Sequence, residues 1–179
     1  MALSKIQSES MNLADTFAFT GTVTGAGDVS VARVSEQVAT GHAGGSTSGS
    51  WVKRALNTED FDPDSIVTLS SNQFTLGAGK YLVHFDASGF KTVRHTAKIY
   101  NATDAADVSE NGLAGYAAGG VDVNTVSSGT AFINITGSKA FELQTQVSTS
   151  KATTGLGSGG STSDMLPNTF SSVTIIKVG

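Results

Sequence analysis

The sequence predicts an all-β protein, a two-sheet jelly-roll sandwich with an extended N-terminal arm. Apolar and polar residues alternate in about eight to ten short segments, spaced roughly 8–15 residues apart, which is typical of a sandwich or jelly roll. No window carries a convincing 3.6-residue apolar period, so helices are not expected. Charged residues make up only 15% of the chain, against about 25% in an average domain. Hydroxyl groups must supply the polar surface, which suits strands.

The strands are expected from residue 28 onward. The segment 80–87 is the clearest, because Tyr81, Val83 and Phe85 share one face while Leu82 and His84 share the other. Both faces carry bulk, which predicts a central position in a sheet. The remaining strands are predicted at 28–40, 51–56, 66–76 (marked by Ile66, Thr68 and 72–76), 92–99, 131–135, 141–147 and 170–178.

The longer connections, 101–129 and 149–169, are rich in Gly, Ser and Ala. We expect them to be surface loops, where binding residues commonly lie. The segment 1–27 differs from the rest, because its few apolar residues follow no period and cannot form a core. Two domains are therefore predicted: an arm over 1–27, used for attachment or trimer contact, and a jelly roll over 28–179. A terminal strand folded back on the domain is the alternative for the arm.

Composition argues against several classes of function. The formal net charge is −4 and no basic run occurs, whereas nucleic-acid binding needs clustered Lys and Arg. The absence of Cys rules out disulfides and thiolate metal sites. No apolar stretch is long enough to span a membrane, and the first ten residues lack the apolar core of a secretory signal. No nucleic-acid or membrane partner is expected.

Three sequence patterns suggest metal or phosphate binding, but each lacks residues or flanking elements that such a site requires. His42, His84 and His95 lack the spacing of zinc ligands. The alternating carboxylates of 60–64 have no Gly at the sixth loop position and have Ser71 where a calcium loop needs Glu. The glycines of 155–160 match a dinucleotide fingerprint in letters, but no apolar strand precedes them and no helix follows.

No catalytic constellation is visible. A nucleophile elbow is absent, and a carboxylate pair formed across strands, as in glycosidases, stays open because spacing cannot reveal it. The sequence therefore predicts a non-enzyme without cofactors or metal ions.

From residue 51 the order of features resembles a known family. Residues 51–58 read WVKRALNT, 61–63 read FDP, 72–76 read NQFTL and 79–85 read GKYLVHF. This order resembles the tumour-necrosis-factor-like jelly roll, in particular the globular head of the first complement component. The likeness covers roughly 28–179 and is strongest over 51–86, and 170–178 resembles the family's closing strand beside the first.

The resemblance implies a homotrimer, with protomers packed side by side about a threefold axis. Apolar residues on the central strand would then pack against a neighbour. An ordinary two-sheet core explains the same residues equally well. The trimer-interface candidates are Tyr81, Val83, Phe85, Phe141 and Leu143.

An arm joined to a jelly roll also resembles small virion proteins of tailed bacteriophages. This likeness implies a virion protein made in the host cytoplasm, a capsid decoration (cement) or head-fibre protein whose arm binds the major capsid protein or another virion protein. The alternative is the receptor-binding tip of a tail fibre or tail spike, contacting host glycan or protein through the loops 101–129 and 149–169. A secreted lectin-like module fits less well. The capsid-contact candidates are Leu3, Ile6, Met11, Leu13, Phe17 and Phe19.

Overall fold

The protein is described by a computed structural model over residues 29–108, 110–119, 121–160 and 167–178. These residues form strands in two antiparallel sheets and contain no helix, so none could span a membrane. The expected all-β, two-sheet sandwich is confirmed. The arm 1–27 lies outside the described residues, and its boundary with the jelly roll stays a prediction.

One sheet has five strands in the order β10-β6-β12-β1-β3. Strand β6 lies between β10 and β12 and pairs with both over most of its length. It is therefore an interior strand, as its two bulky faces suggested, but the central strand of this sheet is β12. The closing strand β12 pairs with the first strand, β1. The bounds are β1 Ser30–Val38, β3 Thr58–Phe61, β6 Gly79–Phe90, β10 Asn124–Ile135 and β12 Asn168–Lys177.

The second sheet has seven strands. Five follow the order β4-β5-β11-β7-β8, while β2 pairs with β11 and β9 pairs with β7. The bounds are β2 Val52–Lys53, β4 Val67–Ser70, β5 Gln73–Leu76, β7 Arg94–Asn101, β8 Ala106–Asp107, β9 Gly115–Tyr116 and β11 Lys139–Val147.

The sandwich has two distinct ends. The arm end is where β1 begins at Ser30. There Lys177 of β12 pairs with Ser30 on one side and with Tyr81, near the start of β6, on the other. At the distal end β6 stops at Phe90 and β7 starts at Arg94, so this short connection links the two sheets. Since β6 has 12 residues and a strand rises about 3.3 Å per residue, the two ends are roughly 36 Å apart.

The core lies between the sheets and consists of the inward residues of both. Phe74 of β5 and Phe141 of β11 stack with ring centroids 5.6 Å apart. Tyr81, Val83 and Phe85 of β6 pack in the same core from the other sheet. Each such fully buried side chain contributes about 1.5–3 kcal/mol of transfer free energy.

Four local predictions need correction. The single strand expected over 66–76 is a hairpin of the two antiparallel strands β4 and β5. In the predicted strand 51–56, only Val52–Lys53 is paired as a strand. The strand β3, Thr58–Phe61, was missed because it is an edge strand of three polar residues and one aromatic. The predicted loop 101–129 contains β8, β9 and the start of β10, where Ser, Thr and Gly hide the alternation.

Candidate functional site

A line of four apolar residues crosses the outer face of the five-stranded sheet near the arm end. Phe132 of β10 pairs with Leu82 of β6, Leu82 with Ile176 of β12, and Ile176 with Val31 of β1. Their sequence neighbours point into the core, so these four side chains point outward. Phe132 is 59% exposed and Leu82 is 39% exposed. We call these four residues the apolar row.

Polar residues adjoin the apolar row on its distal side. His84, next along the outer face of β6, has Nδ1 3.4 Å from the Thr130 hydroxyl and Nε2 3.5 Å from Oδ2 of Asp86. The Ser128 hydroxyl donates to the other oxygen of Asp86. Arg33 of β1 lies in the same outer row as His84, through Thr174 of β12, and forms an ion pair with Asp60 at 3.6 Å. Hydroxyl groups and a few charged side chains therefore border the apolar row on this side.

The five trimer-interface candidates are not on this surface. All five are exposed by 1% or less and belong to the core between the sheets of one chain. A second chain cannot touch them while the sandwich is closed, so their assignment to an interface is corrected to the two-sheet core. The residues concerned are Tyr81, Val83, Phe85, Phe141 and Leu143.

The capsid-contact candidates all lie outside the described residues, so their role stays a prediction. The residues concerned are Leu3, Ile6, Met11, Leu13, Phe17 and Phe19. The first described residue, Val29, directly precedes β1 and is two residues before Val31 of the apolar row. It is 62% exposed.

A buried ion pair that was not predicted from the sequence connects the two sheets. The Arg54 guanidinium, fully buried, donates from Nε to Oε2 of Glu36 at 2.8 Å. It also donates to the carbonyls of Ser88 at 3.0 Å and Phe170 at 3.3 Å, and the Ser171 hydroxyl donates to Glu36 at 2.9 Å. Burial lowers the pKa of Arg54, and the Glu36 carboxylate opposes that change. Arg54 directly follows β2 of the seven-stranded sheet and hydrogen-bonds to β1, β6 and β12 of the five-stranded sheet.

His95 lies near this ion pair at the distal end. Its Nδ1 is 3.3 Å from the Thr125 hydroxyl, and its Nε2 has no hydrogen-bond partner among the described residues. Burial lowers the pKa of His95, and the positive charge of Arg54 lowers it further. A hydrogen bond with the backbone of Ala87 raises the pKa but does not outweigh burial. The folded protein therefore binds a proton at His95 less readily than the unfolded chain does.

This difference predicts acid sensitivity. Because the folded pKa of His95 lies below its ordinary value of 6.5, its contribution to stability is complete above that pH and is lost as the pH falls towards the folded pKa. Urea unfolding between pH 7.5 and 5 should show a falling midpoint, and the His95→Gln variant should lose much of that slope. An equal slope in both proteins would contradict the assignment.

The other motifs singled out in the sequence have structural roles. Asp62 accepts hydrogen bonds from the backbone N–H groups of Ile66 at 2.9 Å and Val67 at 2.8 Å, which closes the turn before β4. His42 contacts the Ser158 hydroxyl at 3.2 Å across a loop. Within the described part of the chain, no group of three or more His, Cys, Asp or Glu residues could hold a metal ion.

The seven-stranded sheet carries aromatic and cationic residues on its outer face. The Lys98 ammonium lies 4.1 Å from the centroid of the Trp51 ring and 2.5 Å from Oδ1 of Asp107. At the distal end Arg94 lies over the Tyr116 ring, 5.0 Å from its centroid. A cleft of about 480 Å³ opens there between β7, β11 and two loops.

Comparison with known proteins finds likeness in structure alone. No family model matches the chain, and no curated protein matches it. Murine APRIL superposes with a TM-score of 0.52 at 6% identity, over 84% of this chain and 100% of that one. The Eiger TNF of S. frugiperda gives a TM-score of 0.52 at 11% identity, over 84% and 93%. The chain has the tumour-necrosis-factor-like jelly-roll fold.

The same comparison also finds PRD1 vertex protein P5, with a TM-score of 0.48 at 16% identity, over 86% of this chain and 100% of that one. The resemblance that residues 51–86 suggested is confirmed for the fold by the tumour-necrosis-factor structures. In this tumour-necrosis-factor-like jelly roll, the sheet that bears the apolar row contains both the first and the closing strand.

Proposed function

We propose that this protein is a homotrimeric structural protein of a tailed-bacteriophage virion, a capsid decoration or head-fibre protein anchored by its N-terminal arm. The observation that carries the proposal is the apolar row, open on the outer face of a closed sandwich at the end where the arm is attached. The row supports the trimer, and its position beside the arm supports the anchoring role.

Two further copies of the chain are proposed to pack over the apolar row and bury it. Monomeric proteins rarely expose contiguous apolar surface that spans several strands without a use for it. Here Phe132 and Leu82 are exposed side by side on neighbouring strands. Packing about a threefold axis buries the same patch on each protomer, as closed cyclic symmetry requires.

The arm is the proposed attachment segment. Since β1 starts at Ser30, three arms leave a trimer at equivalent positions beside the buried rows. Apolar residues such as Phe17 and Phe19 lie among Ser, Thr and Gly in this segment and supply anchors for a partner protein. Three tethered arms bind with avidity that one arm lacks, and binding only the assembled shell shifts the assembly equilibrium towards it.

Deleting residues 2–24 should leave a folded trimer that no longer binds virus particles. Circular dichroism and light scattering would confirm the fold and the trimer, and sedimentation with particles that lack the protein would measure occupancy. We expect occupancy to fall at least tenfold. A full-length variant with Leu113→Ser, in the exposed loop beside Ser128 of β10, is the matched control and should bind normally. Unchanged occupancy after the deletion would contradict the anchoring role.

A further inference from the structure

We propose that the distal cleft binds a saccharide that carries a carboxylate. The cleft has a volume of about 480 Å³, which is within the range of small-ligand sites. It opens on the outer face of the seven-stranded sheet, where β7 and β11 meet the loops around residues 48–49 and 112–116. The lining residues used below are Ser48, Arg94, Gln146 and Ser148.

Arg94 is the cation of the cleft. Six other Lys and Arg residues have a carboxylate within ion-pair distance, but Arg94 has none among the described residues. Its Cζ lies 5.0 Å from the centroid of the Tyr116 ring. The two residues are register partners on β7 and β9, so the ring and the guanidinium are placed by the sheet itself. A guanidinium held in this way offers a planar pair of donors that matches a carboxylate.

The polar groups beside Arg94 are already fixed by their own hydrogen bonds. Gln146 donates from Nε2 to the carbonyl of Gly49 at 2.9 Å, which leaves its side-chain oxygen as an acceptor. The Ser148 hydroxyl donates to the carbonyl of Thr92 at 2.9 Å, and the Ser48 hydroxyl donates to the carbonyl of Ser148 at 2.9 Å. Groups that are immobile before binding lose little entropy when they bind hydroxyls.

The Tyr116 ring completes the chemistry of a sugar site. It does not line the cleft itself but lies under the Arg94 guanidinium that does, and it is 58% exposed, so an aromatic side chain adjoins the cation at the rim. A pyranose ring presents an apolar C–H face and a rim of hydroxyls, and an aromatic ring with polar neighbours matches both. Ring, amide, hydroxyl and cation therefore lie together at one end of the sheet.

The charge of the cleft favours a carboxylate over a phosphate monoester or a nucleic acid. One guanidinium balances one negative charge, whereas a phosphate monoester carries about −1.5 to −2 and engages several donors. Nucleic acid requires many cations along a backbone, and among the described residues Arg94 is the only Lys or Arg that lines this cleft. A monoanionic sugar is the ligand whose charge and polarity agree with the lining.

The position of the cleft makes it accessible in an anchored protein. It lies at the distal end, about one strand length, roughly 36 Å, from the arm end. A bound arm would leave it facing away from the particle. The inference concerns the jelly roll alone and does not depend on where the arm binds.

The test is binding of acidic oligosaccharides to the full-length protein. Galacturonate, glucuronate and sialate oligomers, with their neutral methyl esters and glucose 6-phosphate, would be titrated by NMR and calorimetry. We expect at least one acid to bind with shifts confined to the cleft, and its methyl ester to bind at least tenfold more weakly. Arg94→Gln should lower the affinity for that acid at least tenfold, and Arg94→Lys should lower it less.

Lys80→Gln is the matched control, because it removes an exposed cation without an ion pair among the described residues at the arm end. It should bind the acid as the unmodified protein does. The proposal is overturned if no acid binds, if esters bind equally well, if glucose 6-phosphate binds more tightly than every carboxylate, or if a correctly folded Arg94→Gln variant keeps full affinity. Those outcomes leave the arm-deletion result unaffected.

Discussion

Replacing Arg54 with alanine is expected to lower the free energy of unfolding by about 3–5 kcal/mol, because it leaves the Glu36 carboxylate buried without its partner. Glu36 is 1% exposed and lies 2.8 Å from Nε of Arg54. Of its hydrogen-bond partners in the described part of the chain, the Ser171 hydroxyl alone would remain. The carbonyls of Ser88 and Phe170 would lose a donor at the same time, so strands β1, β6 and β12 would all be affected.

Urea unfolding followed by fluorescence and circular dichroism would measure this loss. Lys53→Ala is the matched control, since Lys53 is the preceding residue and its pair with Glu142, at 3.4 Å, is partly exposed. That change should cost at most about 1 kcal/mol. The double variant with Arg54→Met and Glu36→Leu should recover much of the stability, because it removes both charges and keeps the volume. A loss below about 1 kcal/mol for Arg54→Ala would show that the pair is not a stabilising contact.

The sequence indicates the ion pair only through two charged residues at positions where the alternation of apolar and polar residues predicts apolar ones. Arg54 lies in phase with Leu56, whose side chain is in the core, and Glu36 lies in phase with Val34. Charged residues at two inward positions indicate a buried pair. Which charge meets which could not be predicted, because the partners are on different sheets and their meeting depends on how the sheets pack.

The strands themselves were predictable where alternation is strong, as over 80–87, where Tyr81 and Val83 alternate with Leu82. Alternation identifies two faces but does not say which one is the core. Leu82 on one face and Tyr81 and Val83 on the other are all apolar. The face that carries Tyr81 and Val83 was therefore assigned to the interface, whereas it is the core. The apolar row needs the register of four strands drawn from residues 31 to 176, and no local pattern contains that register.

Placing a charge in the apolar row is expected to dissociate the proposed trimer. Leu82 lies at its centre, between Phe132 and Ile176. An aspartate at this position would be solvated in a single chain, but it would be buried without a partner in the trimer. Each copy would then cost about 3 kcal/mol, and three copies together would convert the trimer to monomers at micromolar concentration.

Sedimentation velocity and light scattering would measure the mass of the Leu82→Asp protein, with thermal unfolding as a test of its fold. Leu113→Asp is the control for added charge, because Leu113 is 77% exposed and lies away from the row. It should remain trimeric. A monomeric unmodified protein, or a Leu82→Asp protein that stays trimeric, would refute the assignment of this face.

The neighbouring residue separates an interface from a core. Val83 is fully buried between the sheets, so Val83→Asp should prevent folding instead of producing a folded monomer. Leu82→Asp should instead give a monomer with native circular dichroism, because its side chain points the opposite way on the same strand. Two adjacent substitutions of the same kind thus distinguish the two faces of β6: one removes the fold and the other removes only the contact between copies.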